Sequence, residues 1–280
     1  MINQTDLRYF LELAQTLHLT RAAERIGITQ PALSHCLKRI ETDLNTQLFI
    51  RSKKGVELTS AGIKLKQSAT ELIQNWETLR FAIQADTEEI QGVIKLGCHT
   101  AVAQYLLPKV LSELLKENPR IDLQLTHGLS RHMTEQVVSS ALDVAVAVNP
   151  VPNPDLIIKE LCKDEVCLWQ ANNLKNPEVL ILEPGLLQTQ DILRKLRKSG
   201  ITFNRIIESA SLEVIASFVA QGMGCGILPE RVLQTHERGK YEKVKGTPHF
   251  IDKICLVYKK EFRQLKRGQV FIKKMQEFAN

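Results

Sequence analysis

A chain of 280 residues, 44% of them hydrophobic, is long enough to build more than one buried core. Its formal charge of +6 suits a polyanionic partner. The six cysteines (36, 98, 162, 167, 225, 255) form neither CxxC pairs nor a Cys/His ligand spacing, which argues against a zinc site; no metal and no cofactor are expected. The opening MINQTDLRYF lacks a positively charged start followed by an apolar stretch, and no apolar run approaches about 18 residues. The expectation is a cytoplasmic protein without a membrane partner, its thiols free and mostly buried.

Thr20 to Glu41, TRAAERIGITQPALSHCLKRIE, reads as two short helices joined by a tight turn at Gly27. The Ala22-Ala23 pair lets a second helix cross closely. In that second helix Leu33, Leu37 and Ile40 share one face at helical spacing and should point inward. Pro31, His35, Lys38 and Thr42 fall opposite, flanked by Gln30 and Ser34. Thr29 is a suitable N-cap, and Pro31 belongs in a first turn. The plan is helix-turn-helix, whose second helix presents N-terminal side chains to base edges. An ordinary helix pair with a solvated polar face is the competing reading. The next segment of the chain weakens it: Leu48–Arg51 and Val56–Thr59 look like two strands around Ser52-Lys53-Lys54-Gly55, a basic wing. From Arg21 to Lys66 nine Lys/Arg stand against four Asp/Glu, the local excess that phosphate contact requires. The expected DNA-facing set is Thr29, Gln30, Pro31, Ser34, His35, Lys38, Arg51, Lys53 and Lys54.

The stretch from Leu7 to Gly62 resembles the DNA-binding end of a LysR-type transcriptional regulator. The Phe10 region, Ala22-Ala23, Thr29 to Ser34, Leu48-Phe49 with Arg51, and Leu58-Thr59 before Ala61-Gly62 carry the resemblance. His35 stands where the family often has Arg. Asn45 stands where a Gly is common, and Asn also tolerates left-handed backbone.

A long helix should start near Ala61, capped by Thr59 or Ser60, and run towards Ile90. Leu65, Ala69, Leu72, Trp76, Leu79 and Ile83 succeed one another at spacings of four and three, a heptad seam suited to a partner helix. An amphipathic helix packed on its own domain is the alternative. The expected dimerisation residues are Leu65, Leu72, Trp76, Leu79 and Ile83. The family resemblance implies the same pairing, a homodimer, and commonly a homotetramer.

Glu88 to Gly92 reads as a hinge, after which the pattern alternates. Strands are expected at Val93–Gly97, Ile121–Thr126, Leu142–Val148, Leu156–Leu161, Val166–Trp169, Val179–Leu182, Arg205–Glu208 and Ile254–Tyr258. Helices are expected at Thr100–Glu117, Met133–Ser140, Asp191–Lys198, Leu212–Gln221 and Phe262–Phe278. Gly222 to Pro229 reads as a Gly-rich turn used for close backbone packing; it lacks the ending of a nucleotide loop. Lys253 to Asn280 holds eight Lys/Arg against two Glu, best read as a solvated face on a terminal helix. Tyr105 to Pro108, Leu142 to Ala145 and Gly222 to Pro229 resemble the family's effector-binding domain. That resemblance implies two α/β lobes around a ligand cleft, as in periplasmic solute-binding proteins. The expected fold is therefore α/β: a winged helix-turn-helix (1–58), a linker helix (59–90) and a two-lobed, periplasmic-binding-protein-like effector domain (91–280). Lobe one would be 91–162 with 253–280, and lobe two 163–252.

The cleft should lie where strands end and helices begin, since free N–H groups there hold polar or anionic groups. The expected effector residues are Cys98, His99, Thr100, Ala101, Gly128, Ser130, Asn149 and Ser209, with the effector polar or anionic. Each has a plainer reading: Thr100, Ser130 and Ser211 as N-caps, His99 as a loop residue. No GxSxG elbow, HExxH or readable acid pair or Cys/His dyad argues for an enzyme on this two-lobed plan. A redox-responsive regulator using Cys98 is the other alternative. The reading is a sequence-specific, double-stranded-DNA-binding transcriptional regulator controlled by a small-molecule effector, with RNA polymerase a further partner open to it.

Overall fold

The computed structural model describes residues 2–52, 55–84, 90–172, 174, 177–235 and 240–279; of residues 51, 52, 55, 74, 77, 78, 80–84 and 279 it describes the backbone only. The chain divides into two compact units, Met1–Glu88 with Ser139–Ala141, and Glu89–Val138 with Leu142–Asn280. Among the described residues no helix is long and apolar enough to cross a membrane.

The first unit starts with α1 (Gln4–Thr16), a helix the sequence reading did not assign, opened by a reciprocal capping box between Asn3 and Asp6. Then come α2 (Leu19–Ile26), which ends on Gly27 at φ 72, and α3 (Gln30–Asp43), capped by Thr29, whose hydroxyl accepts from the Ala32 N–H. The left-handed φ at Gly27 is one a Cβ would disfavour, so the turn between the two helices rests on that glycine. Leu33, Leu37 and Ile40 are buried with Phe10, Leu13, Ala22 and Ala23, as their helical spacing requires. Asn45 takes φ 47, the left-handed conformation expected where a glycine is common. The wing strands β1 (Phe49–Ser52) and β2 (Gly55–Leu58) pair antiparallel. After them comes α4 (Ser60–Gln84), whose first turn is capped by the Thr59 hydroxyl accepting from Gly62 N–H at 3.0 Å. The expected run of this helix beyond Gln84 lies outside the described residues, except for Ile90, which is not helical.

The second unit is one nine-stranded mixed sheet. In chain order it comprises β3 (Gln91–Cys98), α5 (Thr100–Glu117), β4 (Arg120–His127), α6 (Ser130–Val138), β5 (Val144–Val148), β6 (Ile157–Ala171), β7 (Val179–Leu182), α7 (Leu187–Lys198), β8 (Arg205–Glu208), α8 (Leu212–Ala220), β9 (Cys225–Pro229), α9 (Glu230–Gln234), β10 (Tyr241–Lys243), β11 (Phe250–Tyr258), α10 (Lys260–Gln264) and α11 (Lys266–Ala279). The strand order is β4-β3-β5-β11-β6-β9-β7-β8, with β10 on β6. The antiparallel pair β6 and β11 runs through the middle of this order. Its ends at Ile157–Cys162 and Ile254–Tyr258 pair with each other beside β5, while Val166–Ala171 of β6 pairs with β9 and β10. The register slips by one residue between Ile254 and Cys255. Helices cover both faces of the strands on each side of this pair. Ile94, Leu106, Leu114 and Phe271 fill one core and Met133, Val137 and Leu142 another. Ile215, Val219 and Leu228 fill a third, and Leu180, Ile192 and Ile227 a fourth.

Several expectations are corrected. The two strands expected at Leu156–Leu161 and Val166–Trp169 are one strand, because Lys163-Asp164-Glu165 continues the ladder opposite β11. Gly222 to Pro229 is a turn only at its start; Cys225–Pro229 is a buried strand. Gly224 and Gly226 do serve close packing there: a Cβ at Gly224 would lie 2.5 Å from the Val179 carbonyl oxygen, and one at Gly226 2.6 Å from Val219 Cγ2. Of the expected hinge Glu88–Gly92, Gln91 and Gly92 belong to β3, while Glu88 and Glu89 lie outside the described residues; the terminal helix is broken at Leu265 into α10 and α11.

Candidate functional site

In the first unit α3 presents a polar face. Thr29, Gln30, Pro31, His35 and Lys38 are exposed, with Leu33, Cys36, Leu37 and Ile40 directed into the core. Ser34 differs from expectation: its hydroxyl oxygen is buried without a hydrogen-bond partner, so it is not displayed on the surface. Two fixtures hold the helix in place. At its middle, the buried Asp6 carboxylate of α1 is paired with Arg39 and accepts from Cys36. Burial opposes ionisation of Asp6, yet the Asn3 backbone N–H, Cys36 and Arg39 together hold its pKa below the usual carboxylate value. Near its end, Glu41 Oε1 accepts the N–H groups of Leu48 at 2.8 Å and Phe49 at 3.2 Å, fixing β1 to the helix. Arg51 lies on β1, but its side chain and all of Lys53 and Lys54 fall outside the described residues.

On α4, Leu65 packs against the first unit's core and Ala69 is buried. These two members of the heptad stripe serve their own chain. Leu72, Trp76 and Leu79 instead stand 57%, 48% and 51% exposed. The side chain of Ile83 is outside the described residues.

The second unit encloses a cavity of about 710 Å³. One wall comes from His99, Ala101, Val102 and Tyr105 on α5 and from Leu129 to Val138 around α6. Val148 to Asn153 beyond β5 supply another. The turn Gly185–Gln188 with Leu212, Pro229 and Val232 closes the opposite side, and Asp164 of β6 and Asp252 of β11 contribute from the central strand pair. His99, Ala101, Ser130 and Asn149 of the expected effector set therefore line one cavity. Cys98, Thr100, Gly128 and Ser209 do not. Cys98 is fully buried in the core beside α5. Thr100 is the first helical residue and exposed, because His99 takes the capping position and accepts the Ala101 N–H on Nδ1 at 3.2 Å. Gly128 gives room to Met133, whose Cε would lie 2.8 Å from a Cβ there. Ser209 is occupied locally, its hydroxyl accepting the Ser211 N–H.

Two of the lining residues are structural anchors as well. Ser130 Oγ accepts the Val148 N–H at 2.8 Å. Asn149, at φ 49, donates from Nδ2 to Asp252 Oδ1 at 2.6 Å and accepts the Lys253 N–H on Oδ1 at 2.9 Å, clamping the end of β5 to β11. Burial lowers the His99 pKa and favours neutral imidazole, against the pull of Glu213 and Glu183.

The sequence reading missed the two aspartates. They face each other directly across the β6–β11 ladder, and both are nearly fully buried. Burial pushes the Asp164 carboxyl up to about 7; the Arg231 backbone N–H and guanidinium oppose this, while Asp252 and Glu230 add to it. Burial pushes Asp252 up to about 6 against the stabilising Asn149 contact. The local sequence carries little signal for either: Asp164 sits in the charged run Lys163-Asp164-Glu165 and Asp252 beside Lys253, each followed by an apolar stretch, Val166–Trp169 and Ile254–Tyr258. Among the described residues no group of three or more His, Cys, Asp or Glu is arranged to hold a metal ion.

Comparison with known proteins agrees with both units. The HTH-type transcriptional regulator YusT of Bacillus subtilis strain 168 is 29% identical over 238 residues, spanning 83% of this chain and 80% of that protein. Among solved structures, a full-length single-site variant of OxyR from Pseudomonas aeruginosa superposes with a TM-score of 0.73 at 23% identity, covering 100% of this chain and 95% of that one. Full-length CbnR, solved in complex with its target DNA, gives a TM-score of 0.66 at 18% identity, covering 99% and 100%. A family profile described as bacterial regulatory helix-turn-helix protein, lysR family, matches residues 4–63, and one described as LysR substrate binding domain matches residues 87–280. The chain belongs to the LysR family of DNA-binding transcriptional regulators, with a helix-turn-helix head and an effector-binding domain.

Proposed function

We propose that the exposed face of α3 reads operator DNA and that a small polar molecule held in the 710 Å³ cavity controls how the protein sits on that DNA. Gln30 and His35 are the base-reading candidates, with Lys38, Arg51, Lys53 and Lys54 on phosphates. The cavity is the observation that carries the effector half. Its walls come from strand ends and helix starts on both sides of the β6–β11 pair, the position in which α/β sheets hold ligands. These two sides are the proposed lobes. Exposed Leu72, Trp76 and Leu79 support pairing of α4 helices in a homodimer, which would present two α3 helices to paired half-sites. Further assembly to a tetramer and contact with RNA polymerase belong to the same proposal.

The effector expected from the sequence was polar or anionic. The lining favours polar over anionic: Asp164, Asp252 and Glu135 contribute acidic groups, and Arg131, also in the lining, is 92% exposed in its side chain and paired with Glu135. The redox alternative loses ground. Cys98 is fully buried, its thiol is pushed up to about 11 by burial, and its Sγ lies 3.9 Å from His127 Nδ1. Reactive sensor thiols are accessible and have lowered pKa values.

Selection of bound fragments from genomic DNA, followed by fluorescence anisotropy on the selected site, tests the DNA half. Gln30→Ala should lose discrimination at one base step, on the order of 1–3 kcal/mol. Lys38→Ala should weaken binding to all sequences alike and reduce the salt slope by about one unit. Binding indifferent to salt and to both changes would refute the assignment.

A further inference from the structure

The effector cavity has an unusual floor. Asp164 and Asp252 are direct partners in the β6–β11 ladder, where like charges repel most strongly. Each is at most 5% exposed, and both line the cavity. Asp252 has its Asn149 contact. Asp164 accepts one long bond on Oδ1, from the Arg231 N–H at 3.3 Å, and its Oδ2 is buried with no hydrogen-bond partner among the described residues. The Arg231 guanidinium acts on this carboxyl through its charge and leaves Oδ2 without a hydrogen bond. A buried carboxylate oxygen without a donor is costly, so its persistence beside a large cavity points to a donor that arrives with a ligand.

The chemistry of that donor is set by the surroundings. Calcium and magnesium take six or more ligands and zinc about four, and no group of three or more His, Cys, Asp or Glu is assembled to hold a metal ion among the described residues. An anion would meet two buried acids. Most of the remaining wall is apolar, including Val102, Leu129, Leu186 and Leu212. We propose that the cavity takes an organic cation, a primary ammonium or guanidinium carried on an apolar body, whose N–H groups are held by Asp164 and Asp252. The proposal rests on the reading of this cavity as the effector site and specifies the class of effector. The cation neutralises a repulsive pair on the two central strands that both lobes share, which gives it leverage over the relation between them.

Calorimetry and thermal shift on the full-length protein provide the test, with n-butylammonium, butylguanidinium and 1,4-diaminobutane set against butyrate and succinate. At least one cation should bind with a Kd of about millimolar, the range open to a ligand of about six heavy atoms. Asp164→Asn should weaken that binding at least about tenfold while leaving the unliganded protein folded and no less thermostable. Binding should also strengthen from pH 6 to pH 8. The groups facing Asp164 are Asp252 on β11, Arg231 and Glu230 on α9, Tyr105 on α5 and Cys162 on β6, and ionisation of the aspartates is the change that favours a cation. Leu187→Trp, which fills the cavity from an exposed position, should abolish cation binding. Cation binding unchanged in Asp164→Asn, binding of the carboxylates in place of the cations, or no binding of any probe overturns the proposal. Carboxylate binding that disappears in Leu187→Trp would leave the cavity as the effector site and remove only the cation. Binding untouched by Leu187→Trp would place the site elsewhere and remove the cleft reading as well.

Discussion

An aspartate whose carboxyl is raised to about 7 in the folded chain, from 3.8 without the fold, binds its proton more tightly folded than unfolded. Between those values the native state holds more protons, so stability falls as pH rises through the window and the loss is complete above about 7. For Asp164 the loss is of order 2–4 kcal/mol. Asp164→Asn should therefore stabilise the unliganded protein at pH 8 and change little near pH 4, as read by urea denaturation at both values. An equal effect at the two pH values would mean that the carboxylate is already satisfied when ionised. A second residue with a sharp expectation is Gly62 in the first turn of α4. A Cβ there would lie 2.2 Å from the Leu48 carbonyl oxygen, which is backbone and cannot step aside. Gly62→Ala should cost about 1–3 kcal/mol by denaturant unfolding, and a neutral result would mean that α4 can lift off the wing. Gly62 was visible in the sequence as part of a family pattern. Asp164 was not, because Lys163-Asp164-Glu165 looks like a polar break between strands. Its burial comes from β11 across the ladder and from the cavity beside it, neither of which is a local property.

Elements with a strong period were the most legible. Thr100–Glu117 appears as α5 with the bounds read from the sequence, and its buried face of Val102, Leu106, Val110 and Leu114 agrees with helical spacing alone. Val179–Leu182 and Arg205–Glu208 also have the expected bounds. Elements defined by their neighbours were lost. The 15-residue β6 was divided at its charged centre, Gly226 within β9 and the glycines just before it disguised a strand, and five-residue α9 has too few turns for a period to show. The heptad stripe of α4 shows how one pattern can serve two surfaces. Its first members, Leu65 and Ala69, pack on their own unit, and Leu72, Trp76 and Leu79 remain exposed, the face proposed for a partner helix. Leu72→Asp should place an unpaired charge in the proposed seam, at a cost to association on the order of several kcal/mol. Since Leu72 is exposed in the single chain, the fold of that chain should survive. Sedimentation should show dimers or larger for the wild type and monomers for the variant. A variant that remains dimeric would show that the stripe is not the interface.

At the scale of the whole molecule, the two units answer to different physics. The first has a local basic excess, nine Lys/Arg against four Asp/Glu from Arg21 to Lys66, along the stretch of sequence that holds α3 and the wing, so its affinity for DNA should fall steeply with salt. The second holds a large, partly apolar cavity with buried acids, and its response should depend on a ligand's charge and shape. Coupling between them is a differential free energy: a ligand alters DNA binding only to the extent that it binds one DNA-bound arrangement better than another. The cleft's location was legible through strand ends and helix starts, and four of the eight expected residues line it. The sign of its charge was not, since it is set by two aspartates that only the sheet register brings together. The direct test is DNase protection of the selected operator, comparing wild type and Leu187→Trp with and without a cavity-binding ligand. The wild-type footprint should change in length or position when the ligand is added, and the ligand should produce no such change in Leu187→Trp. A footprint that never responds to bound ligand, or that responds equally in both proteins, would contradict control of DNA binding through this cavity.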